Sequence, residues 1–135
     1  MRTRVILAED HPVMAQHLRA LLDPDYDVQV VPDGRALMAA VEFYMPDVII
    51  SDIAMPGISG LAAARNIRTA HPEARIIFIS VLDEPAVIRK ALAEGASGYV
   101  IKSDAGDELA NAVQTVLGGG RYVSSSAEVA LNSGS

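Results

Sequence analysis

Five short runs rich in valine and isoleucine punctuate the chain: Thr3 to Ala8, Asp27 to Val31, Val48 to Ser51, Arg75 to Ser80 and Gly98 to Ile101. Runs of this length, β-branched and bounded by turn formers, predict strands. The segments between them carry helical spacing instead. Leu109, Ala112, Val113, Val116 and Leu117 follow the i, i+3, i+4, i+7, i+8 rule for one buried helix face. Met14, His17, Leu18 and Leu21 make a similar stripe after Pro12, and Leu37, Ala40, Val41 and Tyr44 make another after Asp33, a suitable N-cap. A third helix is predicted from about Ser59 to Ala70 and a fourth from about Glu84 to Glu94, stopped by Gly95. Ser103 or Asp104 caps a fifth.

Strands that alternate with helices pair in parallel, because each crossover is long and right-handed and returns the chain in the same direction. Continuously apolar strands such as Ile76 to Ile79 call for cover on both faces. The predicted fold class is therefore α/β: a doubly wound, five-stranded parallel sheet of order 2-1-3-4-5 with helices on both faces, flavodoxin-like in architecture. A chain of 135 residues suits one domain. Glycines 118–120 and serines 124–126 mark a change of composition, so the domain is expected to span residues 3–118, with 119–135 as the start of an interdomain linker or a tail.

Composition narrows the chemistry. The longest apolar run, Ala36 to Val41, is far too short for a membrane span, and no signal-like segment follows Met1, so a cytoplasmic protein without membrane contact is expected. The absence of cysteine removes disulfides, thiolate metal sites and a thiol nucleophile. A net charge of -6 and a pI near 4.9 set this segment against direct binding to a phosphate backbone.

In an open parallel sheet, ligands bind outside the carboxyl ends of the strands. Here Glu9 and Asp10 follow the first strand, Asp52 the third, Ser80 the fourth and Lys102 the fifth. Polar loop ends are ordinary one at a time; five on one edge are not. Three converging carboxylates repel one another unless a cation joins them, supplied in part by Lys102 and in part by a divalent ion. Oxygen donors with few protein ligands suit Mg²⁺, which points to phosphate chemistry. Asp52, before the Met55-Pro56-Gly57 turn that leaves it accessible, is the candidate nucleophile for a phosphoryl group. Glu9 and Asp10 would hold the metal, Lys102 would neutralise phosphoryl oxygens, and Ser80 would donate a hydrogen bond.

Glu9-Asp10, Asp52 with Met55-Pro56-Gly57 and Gly60, Ser80, and Tyr99-Val100-Ile101-Lys102 together resemble the receiver domain of bacterial two-component response regulators over about residues 3 to 118. The resemblance implies Asp52 as phosphoacceptor for a sensor histidine kinase and Glu9, Asp10, Asp52 and the Ala54 carbonyl as Mg²⁺ ligands. It further implies contacts of Ser80 and Lys102 with the phosphoryl group. It implies a switch as well: phosphorylation draws Ser80 toward Asp52, Tyr99 turns inward, and the surface of the fourth helix, fifth strand and fifth helix changes. Such a receiver catalyses its own phosphorylation and dephosphorylation without being an enzyme in the ordinary sense, and it allows a homodimer on phosphorylation. Lys102 followed by Ser103-Asp104, and the segment Gly119 to Ser124, look like LuxR/NarL-type transcriptional regulators, whose C-terminal helix-turn-helix output domain carries DNA binding. Nothing after Leu117 is long enough to form that domain.

Other readings are weaker. A haloacid dehalogenase-type phosphatase also combines Asp, Mg²⁺, Ser and Lys, but it wants a second Asp where this chain has Ala54. A receiver-like interaction module independent of phosphorylation would not require the full acid, Ser80 and Lys102 set. His11 is expected to line the loop into the first helix, and His17 and His71 to be structural. Ala54 and Leu82 stand where the family often places polar side chains that influence the attacking water, which predicts slow loss of the phosphoryl group.

Overall fold

The computed structural model describes residues 2–133. Its elements run β1 (Arg4–Ala8), α1 (Pro12–Leu22), β2 (Asp27–Val31), α2 (Gly34–Tyr44), β3 (Val48–Asp52), α3 (Gly60–Ala70), β4 (Ile76–Ser80), α4 (Pro85–Ala93), β5 (Gly98–Ile101), α5 (Ala105–Leu117), β6 (Tyr122–Val123) and α6 (Ser125–Ser133), with a 3₁₀ turn at Lys102–Asp104. The strands pair in parallel in the order β2-β1-β3-β4-β5-β6, the predicted order with one short strand added at the β5 edge.

Strand alternation sorts the apolar side chains into two layers. Val5, Leu7, Ile50, Ile77, Ile79 and Val100 pack under α1 and α5. Ile6, Ile49, Ile76, Phe78, Tyr99 and Ile101 pack under α2, α3 and α4. Burying each such aliphatic side chain is worth roughly 1.5–3 kcal/mol against leaving it in water. The helix starts follow the sequence signals: the Asp33 carboxylate accepts the Ala36 N–H and the Ser59 hydroxyl accepts the Ala62 N–H. Gly95, at φ +100°, ends α4.

Three expectations are corrected. In the α1 stripe Leu18 is buried and Met14 and Leu21 pack partly buried on the same core beside Ala15 and Leu22, but His17 faces solvent, because the helix turns its alanine side rather than its histidine inward. Asp104 does not cap α5. The backbone passes from the 3₁₀ turn into α5 with Asp104 still helical, so no α5 amide is presented to its side chain, which instead accepts hydrogen bonds from Ser126. Beyond Leu117, where the pattern predicts the fold to end, β6 extends the sheet by pairing Tyr122 with Gly98 and Val123 with Tyr99. The fully buried Ala127 of α6 joins the α4 side of the core.

Candidate functional site

The carboxyl ends of β1, β3, β4 and β5 lie side by side, which brings Glu9, Asp10, Asp52, Ser80 and Lys102 to one edge of the molecule. Lys102 is the hinge of the arrangement. Its ammonium lies 2.7 Å from Glu9 Oε1 and donates to Asp52 Oδ2 at 2.8 Å, and it leaves only a tenth of its side chain exposed. Burial alone would lower the Lys102 pKa, but the hydrogen bonds to Asp52 and Glu9 and their charges outweigh it and raise the value above the ordinary lysine range. For Glu9 burial works upward, yet Lys102 and the hydrogen bonds from His11 hold the carboxyl below its usual value. Both groups thus stay charged, each as the other's counterion.

Asp52 is 4% exposed, less open than its turn suggests, because Lys102 reaches across it. The Ala54 N–H donates to Asp52 Oδ1 at 3.1 Å, so the turn fixes the carboxylate, while Ala54 itself is exposed. Gly60 permits this packing: a Cβ there would lie 2.0 Å from the Asp52 carbonyl oxygen. Glu9 Oε1 is buried with the Lys102 ammonium 2.7 Å away, and Asp10 Oδ1 is buried with His11 Nδ1 at 3.3 Å as its near neighbour. Buried carboxylate oxygens left this way, all-oxygen in character and beside a third acid, fit a hard divalent ion that keeps some of its water.

His11 takes more part than its sequence position suggests. Its backbone N–H and Nδ1 both lie 3.1 Å from Glu9 Oε2, and its ring, Glu9 and Asp10 bring ligand-capable atoms within 4.8 Å of one another. Ser80 and Tyr99 meet through a residue that composition does not mark. The Ser80 hydroxyl accepts the Leu82 N–H at 3.0 Å, and the fully buried Tyr99 donates to the Leu82 carbonyl at 2.6 Å. Burial, offset in part by a hydrogen bond with Ser80, pushes the Tyr99 hydroxyl up to about 12. Tyr99 therefore occupies the inward position to which the resemblance assigns a part in the switch.

Residues 5–114 match the response regulator receiver domain. The chain belongs to this family. Its receiver is 33% identical over 127 residues to the transcriptional regulatory protein MctR of Rhizobium johnstonii, covering 92% of this chain and 59% of that protein. It is 32% identical over 125 residues to the transcriptional regulatory protein DegU of Brevibacillus brevis, covering 90% and 53%. The chain thus spans a little over half the length of these curated relatives. Among solved structures, a LuxR-family two-component response regulator from Aurantimonas sp. SI85-9A1 superposes with a TM-score of 0.92 at 31% identity, over 98% of this chain and 97% of that one. The receiver domain of RcsB from Salmonella enterica serovar Typhimurium, solved with the phosphomimetic BeF3-, superposes at 0.88 with 26% identity, over 97% and 99%. The receiver is accordingly of the LuxR type, a signalling domain rather than a turnover enzyme. No helix among its described residues is long and apolar enough to cross a membrane.

Proposed function

We propose that this receiver is operated by phosphorylation of Asp52 from a sensor histidine kinase. The observation that carries the reading is the Lys102 ammonium shared between Asp52 and Glu9 at the one edge where the acids converge. In the transfer, an Asp52 carboxylate oxygen forms a bond to phosphorus as the phosphorus–nitrogen bond of the kinase phosphohistidine breaks, and the histidine nitrogen keeps the electron pair. Lys102 gives up its contact with the Asp52 oxygen for one with the phosphoryl oxygens, and Ser80 exchanges the Leu82 N–H for a donated hydrogen bond to the same group. Glu9, Asp10, Asp52 and the Ala54 carbonyl would hold Mg²⁺, which supplies charge neutralisation on the transferring phosphoryl group. The same site carries the receiver's own dephosphorylation, and the state is passed through residues 119 onward to a DNA-binding output domain, with a homodimer on phosphorylation.

Incubation with Mg²⁺ and acetyl phosphate, followed by intact mass, tests this. The wild type gains one phosphoryl group and Asp52→Asn gains none, since an amide cannot take it. Labelling that persists in Asp52→Asn overturns the site. No labelling and no beryllofluoride response in the wild type, with Mg²⁺ binding intact, favours a phosphorylation-independent interaction module. A phosphatase reading finds no support in the geometry, because Ala54 presents only a methyl group where a general acid is needed.

A further inference from the structure

We infer that residues 121–131 form a strap that holds Tyr99 inward, so that docking of the strap and occupation of Asp52 are coupled. The strap is anchored along its whole length. The Arg121 guanidinium donates to the Leu92 carbonyl near the end of α4, and the Tyr122 hydroxyl donates to Glu108. Ser124 is fully buried: its N–H donates to the Tyr99 carbonyl, and its hydroxyl accepts the Ile101 N–H at 3.0 Å. At the start of α6 the Glu108 carboxylate accepts the Ser125 N–H and Asp104 accepts both the N–H and the hydroxyl of Ser126. One carboxylate from the 3₁₀ turn and one from the first turn of α5 thus serve the unpaired amides of another helix, where negative charge is favoured. Ala127, Ala130 and Leu131 then seat α6 on the core that contains Ile88, Ala91 and Tyr99.

Tyr99 lies on β5, the strand whose outer edge the strap covers. Its side chain points to the α4 side, into the cluster that Ala127 closes, and its backbone carbonyl is tied to Ser124. Residues 122–127 thus adjoin Tyr99 both along its backbone and in its side-chain cluster. The other end of Tyr99 rests on Leu82, whose N–H holds Ser80. A phosphoryl group that draws Ser80 away and a strap that presses Tyr99 against the Leu82 carbonyl therefore bias one and the same loop. Two biases on one two-state element are coupled, and the coupling is reciprocal. The coupling rests on the phosphoacceptor reading of Asp52; the hold on Tyr99 does not.

The test uses the full chain as wild type, as Asp104→Ala/Glu108→Ala, which removes the partly exposed acceptors of Tyr122, Ser125 and Ser126, and as Ala127→Glu, which unseats α6. Hydrogen exchange of peptides covering 122–131, near-ultraviolet tyrosine signal and beryllofluoride affinity in Mg²⁺ are read together. The wild-type strap is expected to be protected before the mimic is added and more protected after. Both variants speed exchange at 122–131, shift the tyrosine signal, and weaken mimic binding about fivefold with Mg²⁺ affinity unchanged. A wild-type strap that exchanges freely overturns the inference, as does a released strap with wild-type mimic affinity. If the mimic fails to bind even the wild type, the phosphoacceptor reading and the coupling fall together. The hold on Tyr99 is then decided alone, by whether its signal moves when the strap is released.

Discussion

Lys102 occupies the position that a divalent ion and a phosphoryl group would each claim in part, and this makes its removal informative. In Lys102→Met, Glu9 and Asp52 lose the cation that lies within 2.8 Å of both, leaving buried carboxylates without compensation. Breaking a buried ion pair from one side costs about 3–5 kcal/mol. The expected result is a lower melting temperature without metal and a larger upward shift on adding Mg²⁺ than the wild type shows, because the ion no longer competes with an ammonium. Equal Mg²⁺ shifts in both proteins would mean that Lys102 and the metal do not share these oxygens. Ala54 and Leu82 act by what they lack. Ala54 is exposed and Leu82 is engaged through its backbone, and neither side chain can orient a water. Phosphoryl lifetime, followed by mass after removal of acetyl phosphate, is expected to be long; a half-life of seconds in Mg²⁺ buffer would refute this.

The start of α3 shows how an element carries the site. Gly60 donates its N–H to the Ile53 carbonyl, and its missing side chain lets α3 pass against the Asp52 backbone. Gly60→Ala forces a Cβ onto the Asp52 carbonyl, so the end of β3 must move. Urea denaturation should show a loss of roughly 1–3 kcal/mol or more, accompanied by weaker Asp52 labelling. Gly57→Ala is the contrast: at φ +76° with open space around it, it pays only the left-handed backbone cost of roughly 1–2 kcal/mol. The helices and strands themselves were legible because long apolar residues recur at clean periods; Leu109, Val113 and Val116 are all buried as spaced. In α1 the small Ala15 does not stand out beside His17, although Met14, Leu18 and Leu21 mark the buried side. In α6 the docking face is Ala127, Ala130 and Leu131, too small and too short a pattern to stand out from a serine-rich segment. The clasps from Asp104 and Glu108 are long-range contacts that no local spacing announces.

At the scale of the whole molecule, the convergence of the acids with Lys102 was readable because parallel topology sends every strand's carboxyl end to one edge. The state of Tyr99 was not, since it depends on a Leu82 carbonyl and on the strap at once. That state should be visible in alkaline solution. Tyr99 is pushed up to about 12 in the fold, whereas an unfolded tyrosine ionises near 10. Between these values the native chain binds more protons than the unfolded one, so stability that is fully present below pH 10 declines as pH rises toward 12. A single group of this kind contributes a slope approaching about 1.4 kcal/mol per pH unit. Tyr122, also raised to about 12, and Lys102, raised by its two carboxylates, add slopes of the same sign. Tyr99→Phe isolates one contribution. It loses the hydrogen bond to Leu82, costing roughly 1 kcal/mol at pH 8, but its stability should then fall less steeply than the wild type's between pH 10 and 11. Denaturant titrations at pH 8, 10 and 11 measure both effects. Parallel declines in the two proteins would show that the Tyr99 hydroxyl is not held where the strap and Leu82 place it, and would remove the physical link between the β5 edge and Asp52.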